Sequence, residues 1–342
     1  MASITDETAE KKTSPVLPSL LRGVRWYHVV VAALLLIYPL IATDFWTVQI
    51  GAQSLILGLI GLSLMLLAGY GGMVSLSQLT VAGLAGYLVA IFGNAEWPAW
   101  LMLVGAVSLA TVAAVLIGWI SARTSGIYTI MITLAISVAF YYLVLQNDPI
   151  FNSFNGFSGV RPPEVFGVDW RAPLPFFYLT LAVVGACYLF VLYLSRTPFG
   201  LALQAVRDNP RRMASLGFNV TAHRVAAHGV AGVLAGIGGV LLVWQNGQIS
   251  PGSVGIGPVI DILILTVLGG LAHPVGPFIG AVIFILMENF AIDLIDRERF
   301  NTVIGAVFLV IVLFSPDGVL GLWGKLKSWL ARQSARNRVD QW

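Results

Sequence analysis

The sequence predicts an all-α, polytopic transmembrane helical bundle of about ten spans. Apolar residues make up 58% of the 342 residues and charged residues only 10%, whereas a typical soluble domain has roughly 25% charged residues. Such a chain would expose large apolar patches to water if it were soluble, and it is too apolar to be disordered. Its apolar runs are long and unbroken, unlike the alternating strands of about ten residues in a membrane barrel. The 36 glycines favour closely packed membrane helices.

Ten apolar segments are candidate spans, given that a membrane helix needs about 20 residues. They cover residues 26–43, 51–69, 72–93, 98–120, 125–145, 174–195, 225–246, 257–272, 275–294 and 301–316. The first has no small-residue cleavage site, so we expect a retained span rather than a signal peptide. Tyr70 and the Gly71-Gly72 pair would allow the third span to break, which lipid tolerates only beside a protein-lined cavity.

The basic residues predict the orientation of the chain. With the N-terminus inside and ten alternating spans, 15 of the 19 Lys and Arg residues lie on the cytoplasmic side. The positive-inside rule therefore predicts an N-in, C-in topology. Because the positive charge follows one membrane face, the pI near 9.1 does not indicate a nucleic-acid partner.

The predicted organisation is a transmembrane domain over residues 26–321 between two tails. Residues 1–25 form a polar cytoplasmic N-terminal tail. Residues 322–342 form a basic amphipathic tail, with Leu and Trp side chains on one helical face, that would lie on the inner leaflet. Within the domain, the outer loop 146–173 and the inner loop 196–224 are longer than a connection requires. The aromatic outer loop is expected to be ordered, either as a docking surface or lid, or as a passive packed loop.

The inner loop is predicted to contain two short helices. Thr197-Pro198 is typical of a helix start, and Leu201, Ala205 and Leu203 suggest a short apolar stripe. Pro210 interrupts the pattern, and a second helix runs from about residue 211 to 216 before Gly217, a residue suited to a helix C-terminus.

Two short helices at a basic membrane face would form a rigid knob that a cytoplasmic partner can grip. Arg207, Arg211 and Arg212 are suited to carboxylates on such a partner or to anionic lipid. The alternative is a solvated loop that merely obeys the positive-inside rule.

This loop resembles the coupling segment of the LivM-type permeases of branched-chain amino acid (HAAT-type) ABC importers. The matching positions are Ser195, Pro198, Phe199, Gly200, Ala205, Arg207, Asp208, Asn209, Leu216, Gly217, Asn219 and Val220. The resemblance extends to residues 69–78, 231–239, 249–251, 262–270, 276–281 and 314–321. It departs from the family at Asp208, where Glu is usual, at Met213-Ala214, and at residues 272–275. These departures leave urea, short amides and aromatic acids as alternative solutes.

The resemblance implies a permease subunit of an ATP-driven importer in the bacterial inner membrane. Such a chain would form the path for a small amino-acid-like solute and would couple to a separate ATPase through loop 196–224. The implied partners are a second, LivH-type permease subunit, two ATP-binding subunits, a periplasmic solute-binding protein and membrane lipid. No GxxxxGK[ST] phosphate loop occurs in the sequence, so ATP would be bound by partner subunits, and the chain is expected to be no enzyme and to need no cofactor.

The resemblance implies most of the coupling residues in this loop, and the charges of Arg211 and Arg212 add those two. The expected coupling residues are Pro198, Phe199, Gly200, Ala205, Arg207, Asp208, Asn209, Arg211, Arg212, Leu216 and Gly217. Arg207 and Asp208 are expected to make charged contacts in a groove of the ATPase.

Polar residues inside predicted spans are candidates for the substrate path. They are Ser75, Ser77, Gln78, Thr80, Asp261 and Glu288. Carboxylates at membrane depth are costly unless they are paired or face water. The alternatives are hydrogen bonds between helices for the first four residues, and an interfacial carboxylate or a helix partner for the last two.

Two pairs of glycines have the small-xxx-small spacing that favours close helix packing, namely Gly232 with Gly236 and Gly276 with Gly280. The four histidines include no i, i+4 pair, so no metal site is expected. A self-sufficient secondary transporter or channel for a small polar solute is the competing function, and would need coupling carboxylates or broken helices in two repeats. An intramembrane enzyme has no supporting motif.

Overall fold

A computed structural model describes residues 26–163 and 169–291, together with residues 305–306, 309 and 318–321. Its eleven main helices follow one another along the chain. They are α1 (Trp26–Ile41), α2 (Trp46–Tyr70), α3 (Gln78–Asn94), α4 (Ala99–Ser121), α5 (Ile127–Gln146), α6 (Pro173–Leu194), α7 (Pro198–Asp208), α8 (Pro210–Ser215), α9 (Val220–Asn246), α10 (Ile256–Gly269) and α11 (Gly276–Ala291). Two strands of two residues each, β1 (Phe157–Ser158) and β2 (Gln248–Ile249), are the described β-structure.

The helices confirm an all-α, polytopic membrane protein. Five of them, α2, α4, α5, α6 and α9, are long and apolar enough to cross a membrane, and α3, α10 and α11 are shorter apolar helices. Nine of the ten predicted spans correspond to a helix, although α2 and α9 begin about five residues earlier than predicted. The tails 1–25 and 322–342 lie outside the described residues, as does the predicted span 301–316 apart from residues 305–306 and 309.

Helix α9 lies at the centre of the bundle because its glycines allow three neighbours to approach, the first being α2, where a Cβ on Gly238 would overlap the Ile60 side chain. A Cβ on Gly232 would overlap the Ala114 side chain of α4, and one on Gly239 would overlap the backbone carbonyl of Ala82 in α3. Gly236 also faces α4, where a Cβ would be in ordinary contact with Ala110. Small residues allow such close approach of membrane helices.

A second close contact joins α10 and α11 as a helical hairpin. The backbone of Gly280 lies against the Leu265 carbonyl and the Gly269 nitrogen, so that a Cβ there would collide with main chain. Gly276 lies equally close to the carbonyl of Gly270, at the turn of the hairpin. Both glycine pairs singled out in the sequence therefore lie at helix contacts.

Loops predicted on the same membrane face contact one another. On the predicted inner face, Arg224 at the start of α9 donates from Nη1 to the carbonyls of Ala122 (3.2 Å) and Thr124 (3.4 Å), which follow α4. On the predicted outer face, β1 and β2 pair antiparallel, with Phe157 opposite Ile249. These contacts agree with the alternation of spans from which the topology was predicted.

The described part of the outer loop 146–173 is ordered and packs on the bundle. Phe151 is buried and its ring lies edge-on to Tyr87 of α3, with centroids 5.3 Å apart. The Asn152 side-chain amide donates to the carbonyl of Gly156 (2.7 Å), which closes the turn before β1. Phe154 in the same loop is 77% exposed.

Candidate functional site

The first candidate site is a break in the helical chain between α2 and α3. Helix α2 ends in a π-helical turn, Leu66–Tyr70, and residues 71–77 are not helical. Gly72 has φ +66°, a left-handed conformation that favours glycine. The predicted third span, 72–93, is therefore wrong at its start, because α3 begins at Gln78. The expectation that Tyr70 and Gly71-Gly72 permit a break is confirmed.

Helix α5 satisfies the backbone groups that the break exposes. The Leu76 N–H donates to Thr133 Oγ1 (3.0 Å), and Ser137 Oγ donates to the Leu76 carbonyl (3.0 Å). Non-helical backbone at membrane depth is tolerated only where protein groups or water take the place of the lost hydrogen bonds. The hydroxyls of Thr133 and Ser137 replace the lost hydrogen bonds, and they hold the break at Leu76.

The four polar residues predicted around this break lie together and are almost fully buried. The Ser75 and Ser77 hydroxyls share a hydrogen bond of 2.9 Å. Ser63 Oγ of α2 donates to Gln78 Oε1 (3.1 Å), and Thr80 Oγ1 donates to Ser137 Oγ (2.8 Å). The cluster therefore links α2, the break, α3 and α5 through side-chain hydroxyls and one amide.

Two narrow crevices run along α3 from this cluster. The first is too narrow to hold a water molecule and is lined by Leu64, Ser75, Leu76, Gln78, Leu79, Val259, Ile262 and Leu263. The second lies toward β2, has room for no more than about one water molecule, and is lined by Leu79, Ala82, Gly83, Gly239, Leu242, Val243, Asn246, Gln248, Ile249, Ser253 and Val254. Leu79 lines both crevices, so they lie on either side of one side chain.

The structure separates the predicted path residues into three groups. Ser75 and Gln78 line the first crevice, whereas Ser77 and Thr80 line neither. Asp261 and Glu288 are half-buried on α10 and α11, within electrostatic range of each other. Neither carboxylate lines a crevice. No cluster of residues in the described part of the chain has the composition of a metal site.

The second candidate site is the segment α7–α8, whose helix boundaries follow from capping side chains. Thr197 Oγ1 accepts a hydrogen bond from the Gly200 N–H, and Pro198 occupies the first turn of α7. Asn209 Oδ1 accepts from the Arg212 N–H (2.9 Å) at the start of α8. Gly217, with φ +87°, ends α8 as expected.

The buried stripe of α7 differs from the one suggested by the sequence. Leu203 and Val206 are buried, whereas Leu201 is 58% exposed and Ala205 is half-buried. The reason is Gly200, which packs so closely on the Leu194 carbonyl and Ser195 that a Cβ would overlap them. Because of this contact, the face of α7 that contains Leu203, three residues after Gly200, is turned toward the bundle. Phe199 stacks on the His223 ring at 5.9 Å between centroids.

The charged residues of α7–α8 fall into two sets. Arg207 Nη1 donates to the Gly69 carbonyl at the end of α2 (2.5 Å), while its Nε and Nη2 lie 3.0 and 2.9 Å from Asp208 Oδ1. This is the one ion pair among the described residues. Arg211 and Arg212 are exposed, and beside them lie the exposed apolar side chains of Leu216 and Phe218.

Sequence reasoning missed the residues that support both sites. Thr129, Thr133 and Ser137 form a buried i, i+4, i+8 stripe on α5, and that spacing of hydroxyls in an apolar run is a signal that the sequence does contain. Gly69 carried no comparable signal, because its role depends on a carbonyl that meets a residue 138 positions away.

The comparisons with known proteins place the chain in a class of transport proteins. Residues 46–312 match a family described as "Branched-chain amino acid transport system / permease component". The chain belongs to this family and is a membrane permease component, not an enzyme. No solved structure matches it significantly.

Two of the relatives are high-affinity branched-chain amino acid transport permeases named LivM. That of Salmonella typhimurium is 28% identical over 299 residues, and that of Escherichia coli is 26% identical over 284 residues. The alignments cover 80% and 76% of this chain and 68% and 65% of the relatives, so the chain spans about two thirds of their length. A nucleoside ABC transporter permease, NupC of Lactococcus lactis, is 29% identical over 36% of this chain and 37% of its own.

Proposed function

We propose that the chain is one permease subunit of an ATP-driven importer in the bacterial inner membrane, and that it carries a small amino-acid-like solute. The observation that carries this proposal is the family match over residues 46–312 together with the capped, exposed α7–α8 segment. Permease components of this family use no cofactor of their own. ATP is hydrolysed by separate subunits, and a solute-binding protein and a second permease subunit complete the assembly.

The solute path follows α3 along the two crevices on either side of Leu79, which are closed in this structure and must widen to admit a solute. Ser75 and Gln78 supply a hydroxyl and an amide at one end, and Asn246 and Gln248 supply amides at the other. The other lining residues are apolar except Ser253. A mostly apolar channel with a few polar groups suits a solute with a polar backbone and an apolar side chain, such as a branched-chain amino acid. Urea, which has no apolar part, fits this lining less well.

The ATPase docks on the exposed face of α7–α8. Arg211 and Arg212 offer guanidinium groups to carboxylates, and Leu201, Leu216 and Phe218 offer apolar area beside them. Closure of the ATP-binding subunits moves this segment and thereby changes the balance between inward-open and outward-open states.

Reconstitution in liposomes tests this function. The chain alone and the chain co-purified with its neighbouring subunits are compared for uptake of labelled leucine, with urea, a short amide and an aromatic acid as competitors. We expect uptake only from the complete assembly and only with ATP. Uptake by the isolated chain without ATP would instead show a self-sufficient secondary transporter or channel.

The serine pair at the break tests the path. Ser75→Ala and Ser77→Ala remove the same hydrogen bond, but only Ser75 lines the crevice. In the complete assembly we expect Ser75→Ala to change the KM for the solute by about fivefold or more, the size of one lost hydrogen bond to a ligand. Ser77→Ala should leave KM near the wild-type value. Equal effects of the two substitutions would place the path elsewhere.

A further inference from the structure

We propose that Arg207 is a positioning residue that latches the α7–α8 segment to the break between α2 and α3. Through this latch, a displacement of the segment by the ATPase changes the solute crevice. The inference rests on the proposed function, because it assumes an ATPase that moves α7–α8. It assigns to Arg207 a role within the chain in addition to any contact with a partner.

The first contact of the latch is made by the guanidinium group. Its Nη1 donates to the Gly69 carbonyl (2.5 Å), and its Nε and Nη2 lie against Asp208 Oδ1 (3.0 and 2.9 Å). The planar fork of arginine can serve an acceptor on each side, whereas the ammonium of lysine is a point donor. Asp208 therefore orients the group, and Gly69 receives it.

The second contact is made by the aliphatic stem of Arg207. A Cβ on Gly72 would lie 2.6 Å from Arg207 Cγ, so the break approaches the stem only because residue 72 has no side chain. Gly72 also has the left-handed φ of +66° that turns the chain there. Leu203 of α7 lies near Gly71, and the Tyr70 hydroxyl lies beside Ser195. Residues 69–72 thus contact α7 and its preceding turn at several points.

The other end of the break is fixed to a different helix. Leu76 is held at both its N–H and its carbonyl by Thr133 and Ser137 of α5. Between these anchors lie only the residues 73–75, and Ser75 already lines the crevice. Because protein interiors are closely packed and transmit displacement, a shift of α7 relative to α5 must be taken up by this short segment. The shape of the crevice at Ser75 and Gln78 changes as a result.

The exposed arginine Arg211 provides the matched control. It lies on α8, four residues after Arg207; both side chains are exposed, but only that of Arg207 has described hydrogen bonds and an ion pair. Removal of its charge weakens docking of the ATPase but leaves the latch intact. Arg207→Gln breaks the latch and also removes any contribution of the Arg207 charge to docking. Arg207→Lys keeps the charge for docking and loses the fork, so it separates the two roles.

The experiment uses the complete assembly with its ATPase subunits in liposomes, and measures solute imported per ATP hydrolysed. We expect Arg207→Gln to assemble and hydrolyse ATP, with this ratio reduced by about fivefold or more. Arg207→Lys should show the same direction of change. Arg211→Gln should require a higher concentration of ATPase subunits for assembly and leave the ratio unchanged.

A second readout follows the crevice itself. In a Cys187→Ala background, which removes the one native cysteine, Ser75→Cys is labelled with a thiol reagent with and without ATP. We expect labelling to depend on ATP, and this dependence to disappear when Arg207→Gln is added although hydrolysis persists. A purely structural role of Arg207 would lower the amount of assembled complex without removing the ATP dependence.

Two results would overturn the latch alone. One is a wild-type import ratio in Arg207→Gln, and the other is a loss of ATPase docking in Arg207→Gln that Arg207→Lys restores together with full coupling. A wild-type assembly that fails to import with ATP would overturn the proposed function, and the latch with it. The two failures are therefore distinguishable.

Discussion

Helices α9 and α5 pack in opposite ways although both are long and apolar. Within an 18-residue apolar stretch of each helix, 61% of the residues are buried in α9 and 22% in α5. Helix α9 approaches its neighbours through glycines, whose missing side chains bring backbone against backbone. Helix α5 meets the bundle through a stripe of hydroxyls, Thr129, Thr133 and Ser137, and exposes large apolar side chains such as Met131 and Tyr128.

The difference shows what marks a buried face when the solvent is lipid. Apolar side chains are as well accommodated by lipid as by protein, so they do not indicate the direction of the core. Small residues indicate it in α9, because only they allow close approach. Hydroxyls indicate it in α5, because they require a partner that lipid cannot supply.

Gly239→Val is expected to have the largest effect, because it disrupts the close packing of α9 on α3. The added Cβ would overlap the backbone carbonyl of Ala82, and a backbone cannot move aside as a side chain can. We expect a loss of at least about 3 kcal/mol of stability, at the upper end for overpacking, and little folded protein in detergent. Gly185→Val in α6 is the control, because a Cβ there meets no atom within 4 Å. Equal yields and melting temperatures of the two variants would contradict the proposed α9 packing.

Much of the fold was predictable because the signals were local. The spans follow from runs of apolar residues, and the limits of α7 and α8 follow from Thr197-Pro198, Pro210 and Gly217. The break was predictable from Gly71-Gly72. Each of these features depends on neighbours within about one turn of helix.

The contacts that define the sites were not predictable, because they join distant parts of the chain. Leu203, rather than Leu201, is buried on α7 because Gly200 packs on Leu194, a contact that no helical period reveals. In the sequence, Arg207 and Arg211 are equivalent arginines of the same basic loop. Only the position of the Gly69 carbonyl shows that Arg207 has a partner within the chain. Asp261 and Glu288 were candidates only because a carboxylate at membrane depth is energetically costly. Neither residue lines the two crevices.

Thr133→Val tests the hydroxyl stripe of α5, and it is expected to lower stability less than Gly239→Val does. The substitution keeps the side-chain shape and removes the hydroxyl that accepts from the Leu76 N–H (3.0 Å). A buried donor left without a partner costs about 1–3 kcal/mol, and hydrogen bonds between membrane helices measure at the lower end, about 0.6–2 kcal/mol. We therefore expect a loss of about 1 kcal/mol in the thermal unfolding of the purified protein in detergent.

The pairing of Thr133 with Ser137 makes this measurement decisive. Both side chains hold Leu76, one at its N–H and the other at its carbonyl, so the loss of either anchor frees part of what the other fixes. In a double-mutant cycle, Thr133→Val with Ser137→Ala should cost less than the two single substitutions added together, by about 0.5 kcal/mol or more. Met131→Ala, on the exposed face of the same helix, controls for general weakening of α5 and should change stability little. Strict additivity of the two hydroxyl substitutions would mean that α5 does not hold the break as a unit, and that the segment near Ser75 has no fixed end against which α7 could act.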